Sequence, residues 1–370
     1  MIIYIITFAV SCLFTYIAEK YITKSKKIFV LLSLFAILLP SIIAGVRDIT
    51  IGYDVGLYGV NYFQLAVNSD SFAEYRAICD TDFGYAALNY IVSRVTDNIH
   101  WFLFVIEFII VVLVYLFAYS HREKHPMWLT MLAFFTIFYS NSLNILRQSL
   151  ALAIIIFGTR YAENSKFLKY LITTIIATMF HATAIVALPI YFLFKLENLK
   201  RKNTYKVFTV LIIVFIMFNF FSIIETLVNM GILSNRFLSY VYVFSENATD
   251  FGYIEGTLRL AIIFICLITY KSKIQFDHKN ATYIYMLIID FMLMQLTLIS
   301  GSAQRLAYYY GYPALLYMIP QLTVGFKNDK SNKWIINSFT IILLLAYWYL
   351  QYVYQNFGST YPYTSIILGI

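Results

Sequence analysis

The stretch FLKYLITTIIATMFHATAIVALPIYFLF, residues 167–194, decides how the rest of the chain lies. It is apolar almost throughout and carries one histidine, His181, near its middle. Read as one helix, it crosses a bilayer once. Read as two, it crosses, turns at His181 and returns. Each half, 167–180 and 182–194, is then short beside the roughly 20 residues that a spanning helix needs. The charges that follow favour the second reading. A single crossing would invert everything downstream and place eleven lysines and arginines, from loops 195–206, 271–279 and 326–333, on the outer side. Basic loops stay on the cytoplasmic side. A hairpin with His181 at or near its outer tip is therefore expected.

Outward from that stretch the sequence keeps the same character. It has 370 residues, 61% hydrophobic and 12% charged. A soluble domain is about 45–50% apolar and about 25% charged. The fold class expected is an all-α polytopic integral membrane protein, one transmembrane domain over 1–370. Crossings are read near 2–18, 28–46, 101–120, 127–142, 144–161, 167–180, 182–194, 207–226, 258–270, 280–299, 306–324 and 334–354, about twelve in all with both ends outside. Two outer segments, 47–100 and 227–257, exceed turn length, and the first is expected to hold an interfacial helix at 84–96. The opening run lacks a positive stretch before it, so it reads as a retained first helix. Cys12, Cys79 and Cys266 are far apart in sequence and suggest neither a disulfide framework nor a zinc site. The net charge of +8 sits in short loops, where topology explains it without nucleic acid.

Sidedness exposes a second pattern. The cytoplasmic loops 19–27, 121–126, 160–169, 195–206, 271–279 and 326–333 hold all 17 lysines, with Arg122, Arg160 and Arg201. The outer side holds seven basic residues, and all are arginine: Arg47, Arg76, Arg94, Arg147, Arg236, Arg259 and Arg305. Lysine snorkels to a headgroup as well as arginine does. Arginine alone offers a planar, always-charged fork that fits phosphate or carboxylate with two bonds. Arg47, Arg147, Arg259 and Arg305 stand at the outer ends of four different helices, so phosphate recognition is one use of them. Pairing with Asp48, Asp54 or Glu255 is another.

Other polar groups in apolar surroundings are marked in the same way. His181 could take a proton from a sugar hydroxyl, or be a neutral histidine bonded to Thr178 or to a backbone carbonyl. Asp80-Thr81-Asp82 spells a DxD metal–nucleotide signature, but three letters weigh little and nucleotide sugars are cytoplasmic. Glu107, Asp290 and Glu225 fit as packing partners for buried arginines or hydroxyls. Tyr308, Tyr309, Tyr310 and Tyr312 cluster beside Arg305 and suit sugar stacking or belt anchoring equally.

These residues, in order, resemble a known family. Ala44-Gly45-Val46-Arg47-Asp48, then Ile51-Gly52-Tyr53-Asp54 and Tyr58, resembles the G-x-R-D-x-x-x-G-x-D-x-x-x-Y signature of EpsG-type, Wzy-like polysaccharide polymerases. Asp82-Phe83-Gly84-Tyr85 is similar to its acidic residue before a Gly-aromatic pair. Arg147-Gln148 with Ala151 is similar to its R-Q-x-x-A helix. Phe180-His181 with Ala184 resembles its F-H-x-[ST]-A element, although Thr183 here directly precedes the alanine. Gln304-Arg305-Leu306 with Tyr308-Tyr309 resembles its R-x-x-x-Y element. The matches run from about residue 44 to 310.

The resemblance implies a multi-pass enzyme of the bacterial inner membrane, GT-C-like in architecture, with its active site facing the periplasm. The reaction implied is glycosyl transfer between a growing glycan on undecaprenyl diphosphate and the hydroxyl of a new lipid-linked repeat unit. It requires no cofactor and no metal, because the diphosphate already activates the donor. A chain-length regulator and a flippase are the partners implied. The residues expected to do the chemistry are His181 as base, with Arg147 and Arg305 at the diphosphate. Arg47, Asp48, Asp54, Gln148, Arg259, Gln304, Tyr308 and Tyr309 are expected to bind substrate. A flippase for the same lipid-linked unit would also use arginines in an amphiphilic cavity. A ligase or acyltransferase acting on surface glycans is the other alternative.

Overall fold

The computed structural model describes residues 1–231, 238, 252–270, 278–298, 303–324 and 330–370. Arg236 and most of the second outer segment therefore lie outside the described residues. Those described form helices joined by short loops, with no strand among them. In chain order the helices are α1 (Ile2–Glu19), α2 (Lys26–Gly45), α3 (Val60–Val67), α4 (Phe72–Ile78), α5 (Phe83–Ser93), α6 (Ile99–Ser120), α7 (Met127–Phe134) and α8 (Ser140–Ser142). They continue as α9 (Leu146–Glu163), α10 (Phe167–Phe180), α11 (Ile190–Leu196), α12 (Lys202–Phe218), α13 (Phe220–Asn229), α14 (Gly252–Tyr270), α15 (His278–Met294), α16 (Tyr308–Val324) and α17 (Lys330–Trp348).

Among the described residues, four helices are long and apolar enough to cross a bilayer alone: α1, α2, α6 and the helix over Trp334–Tyr354. A fifth is reached if α12 and α13, bent by 74° at Asn219, form one span. The other expected crossings coincide with helices that are shorter or interrupted, or that, like α9 with its 18 residues, are as long as α1 but carry more charge. Helix α12 buries no residue, and Phe208, Leu211 and Phe215 on it are more than half exposed. Such faces suit lipid, where apolar exposure costs nothing and each backbone polar group is satisfied within its helix.

At residues 167–194 the chain turns. Helix α10 ends where His181 takes an extended conformation, φ −154° and ψ 118°. A 3₁₀ segment, Ala182–Ala187, leads back, and Pro189 starts α11. The Tyr170 hydroxyl, near the start of α10, donates to Ala187 O at 2.7 Å. The rings of Phe167 and Tyr191 meet at 4.9 Å. One helix through His181 would hold these residues far apart, so the segment is a hairpin.

The lysine-bearing end is closed by buried charge. Glu163, at the end of α9, accepts from Tyr283 OH at 2.5 Å, from Lys279 Nζ at 2.9 Å and from His121 Nε2 at 2.8 Å. Three cationic or hydroxyl donors outweigh its burial and hold its pKa down at about 2. This clasp ties α6, α9 and α15. At the opposite end residues 364–366 are bound to the loop that follows α2. Asp48 N donates to Thr364 O at 3.0 Å and Ile366 N to Asp48 Oδ1 at 2.9 Å. Gly52, at φ +93°, lies so close to Leu143 that a Cβ would stand 2.4 Å from its carbonyl oxygen. Only glycine meets both demands.

Candidate functional site

The segment 47–100 supplies one wall of the site. Arg76 Nη1 donates to Cys79 O at 3.2 Å and to Thr81 O at 2.7 Å, which fixes the loop before α5. Asp82 then occupies the N-cap of α5, but its side chain makes no cap bond to the helix. Its carboxylate instead faces an arginine and a histidine from other elements. Arg147 Nη1 lies 3.5 Å from Asp82 Oδ2, and His181 Nδ1 lies 3.7 Å from the same oxygen. Arg147 Nη1 also donates to Thr81 Oγ1 at 3.0 Å.

Helix geometry explains the meeting. Gly84, in the first turn of α5, packs against the end of α10, where a Cβ would come within 3.0 Å of Met179 O. The bare glycine lets the start of α5 touch the end of α10, and so sets Asp82 beside His181. An anion at a helix start suits the helix dipole. Arg147 is different. It opens α9, where the dipole already places positive charge, and arginine there is unfavourable unless an anion answers it.

The second arginine reaches the same place. Gln148 Nε2 donates to Arg305 O at 3.0 Å, so the start of α9 lies against the turn Ala303–Leu306 that precedes α16. Two helix starts thus stand side by side, each with an arginine. Both charges act on His181 and disfavour its imidazolium. Burial is the larger cause of the same effect and Asp82 opposes it, leaving the pKa of His181 below the ordinary 6.5. Tyr309 is fully buried beside them, with its hydroxyl 3.2 Å from Thr183 Oγ1. Tyr308 stacks on Tyr312 at 4.9 Å, and Gln304 is buried next to Arg305.

The structure thus brings together His181, Arg147, Arg305, Gln148 and Tyr309. It gives other expected residues partners inside the fold. Arg47 is 1% exposed, and its guanidinium donates to the backbone oxygens of Ala44, Leu143 and Ile51. Asp48 binds the backbone at Ile366, which holds its carboxyl below the usual range. The backbone N–H of Asp54 donates to Asn144 Oδ1 at 2.8 Å. Arg259 is fully buried and pairs with Asp290 of α15, whose carboxylate fills the space that a side chain at Gly311 would need.

Asp82, which the sequence presents both as the end of a DxD and as an acidic residue before a Gly-aromatic pair, joins the cluster although it is not among the residues expected to bind or react. Thr178, weighed as a partner for His181, instead donates to Thr174 O at 2.7 Å. Tyr58, the last residue of the first motif, and Tyr62, which no motif marks, both lay their rings against Arg147.

Neither a curated protein nor a solved structure matches the chain. A family model does, the EpsG family, over residues 30–365, a span that contains every residue of the cluster. The chain therefore belongs to the EpsG family, a family of Wzy-like, polysaccharide-polymerase-type proteins.

Proposed function

We propose that this protein joins oligosaccharide repeat units carried on undecaprenyl diphosphate into a surface polysaccharide, at the outer face of the membrane that it crosses about twelve times. The observation that carries this reading is the pair of arginine-bearing helix starts, α9 and α16, held together by Gln148 and facing His181 and Asp82.

The chemistry follows from the leaving group. The acceptor hydroxyl attacks the anomeric carbon of the donor sugar. The bond from that carbon to the diphosphate oxygen breaks, and its electron pair leaves with the lipid diphosphate. Negative charge therefore grows on the diphosphate as the bond lengthens. Arg147 and Arg305, fixed beforehand beside two positive helix ends, stabilise that charge at little cost in reorganisation. The acceptor's proton passes to the imidazole of His181, whose Nδ1 faces Asp82 and whose other nitrogen is left for the substrate. Asp82 orients the ring and stabilises the imidazolium, while its salt bridge holds Arg147 until phosphate competes for the fork. Gln148 and Tyr309 set the spacing between the two helix starts. Arg47, Asp48 and Arg259 support the scaffold in this account.

Deletion of the gene, followed by analysis of lipid-linked intermediates, tests the reading. A polymerase's loss leaves single repeat units accumulating on the outer leaflet or transferred singly. Units trapped on the cytoplasmic leaflet would contradict it and favour a flippase.

A further inference from the structure

Two tyrosines against Arg147 have no part in the reaction as described. Tyr58 lies in a π-turn, Val55–Gly59, and Tyr62 follows one turn later in α3. Their rings stack at 6.1 Å with 26° between planes. The Arg147 guanidinium carbon lies 5.3 Å from the Tyr58 centroid and 5.9 Å from that of Tyr62. The Tyr62 hydroxyl donates to Asp80 O at 3.3 Å, which ties its ring to the loop carrying Thr81 and Asp82. Tyr58 remains 40% exposed.

The backbone is shaped to put them there. A π-turn gives up regular helical bonding, and such turns gather at functional sites. In the same turn a Cβ at Gly59 would stand 3.1 Å from Leu146 Cδ1, so the bare glycine lets this helix settle on the first turn of α9. Tyrosines that anchor a protein at headgroups turn their rings outward. These rings cover the site's arginine instead, as aromatic faces do with cations.

We propose that Tyr58 and Tyr62 form the subsite for the pyranose ring bonded directly to the donor's diphosphate. The inference rests on the reading that Arg147 holds that diphosphate. A pyranose presents an apolar face of C–H bonds that packs on an aromatic ring, and this sugar is one phosphate ester linkage from the charge. A ring stacked on Tyr58 stays within reach of a phosphate on Arg147. The ledge favours glycosylated lipid over bare lipid diphosphate. Transfer removes the sugar from the diphosphate, so the spent carrier loses this contact and departs while intact donor is retained.

The test compares two probes on the purified full-length protein: farnesyl diphosphate esterified to glucose, and the methyl ester of farnesyl diphosphate. Both carry the same charge, and only the first has a ring. The native protein should bind the glucosyl probe about tenfold more tightly. Tyr58→Ala and Tyr62→Ala should reduce that ratio to about one, whatever happens to either affinity alone, and Tyr58→Phe should retain it. Equal binding of the two probes by the native protein, or an undiminished ratio in Tyr58→Ala, overturns the subsite. Failure of the native protein to bind either probe overturns the diphosphate reading beneath it as well.

Discussion

At the scale of the residue, the account turns on Asp82. Its Oδ2 lies 3.5 Å from Arg147 and 3.7 Å from His181, so one carboxylate serves both halves of the proposed chemistry. Asp82→Asn keeps the shape and removes the charge. Polymerisation should fall by about 10²-fold, a typical share for an acid–base group. The pH profile separates this from a packing defect. His181 must be neutral to accept a proton, and its pKa already lies below the ordinary value because burial disfavours the charged form. Activity should therefore fall on the acid side as His181 becomes protonated. The Asp82 carboxylate favours the imidazolium, so removing it lowers that pKa further and moves the acid limb to lower pH. A limb that stays in place, measured by rates across pH in the variant and the parent, would contradict the assignment. Arg147, His181 and Arg305 were legible in the sequence because ionisable groups in apolar surroundings are costly. Asp82 was marked only by motif, in the DxD and before the Gly-aromatic pair, because an acidic residue in a polar loop carries no such cost.

At the scale of the element, the site depends on how closely helix ends approach. Gly84 lets α5 touch α10 with a Cβ position only 3.0 Å from Met179 O. Gly84→Val would push the two ends apart and carry Asp82 away from His181. A stability loss of about 1–3 kcal/mol is expected from the overpacking. Displacement on the order of an ångström should also cost polymerisation about 10²-fold. Thermal unfolding and chain synthesis measured on the same preparation check both, and full activity in a folded Gly84→Val protein would show that the contact is dispensable. The hairpin at His181 could be read from loop charge, because lysines and arginines report sidedness. The π-turn at Val55–Gly59 could not, because a sequence period of 3.6 carries no mark of one extra residue in a turn.

At the scale of the whole molecule, the protein has a lysine-bearing end and an arginine-bearing end, and the two use charge differently. The first is held by Glu163 and its three donors. A carboxylate held at about 2 contributes stability that is complete above its ordinary pKa of 4.5 and is lost as pH falls from there toward 2. Glu163→Gln should cost about 3 kcal/mol at neutral pH, since it leaves Lys279 without its buried partner. Thermal unfolding in detergent should show that loss, together with a weaker acid dependence over the same window. Sidedness is tested by single cysteines in a cysteine-free background. Asp97→Cys should react with an impermeant maleimide in intact cells, and Asn164→Cys only after permeabilisation. The reverse order would invert the topology and put the site on the wrong face. Composition and loop charge are what the sequence offers for this polarity. Which buried arginine meets which carboxylate was not readable, because Arg259 and Asp290 lie 31 residues apart and only packing joins them. The most direct measurement is chain growth by purified protein in liposomes given lipid-diphosphate-linked repeat units, with Arg147→Lys and Arg305→Lys beside the parent. The parent should produce a ladder of chains longer than one unit, and both lysine variants, though folded and inserted, should produce single units only. Normal ladders from both variants would show that the paired guanidinium forks do not hold the leaving diphosphate.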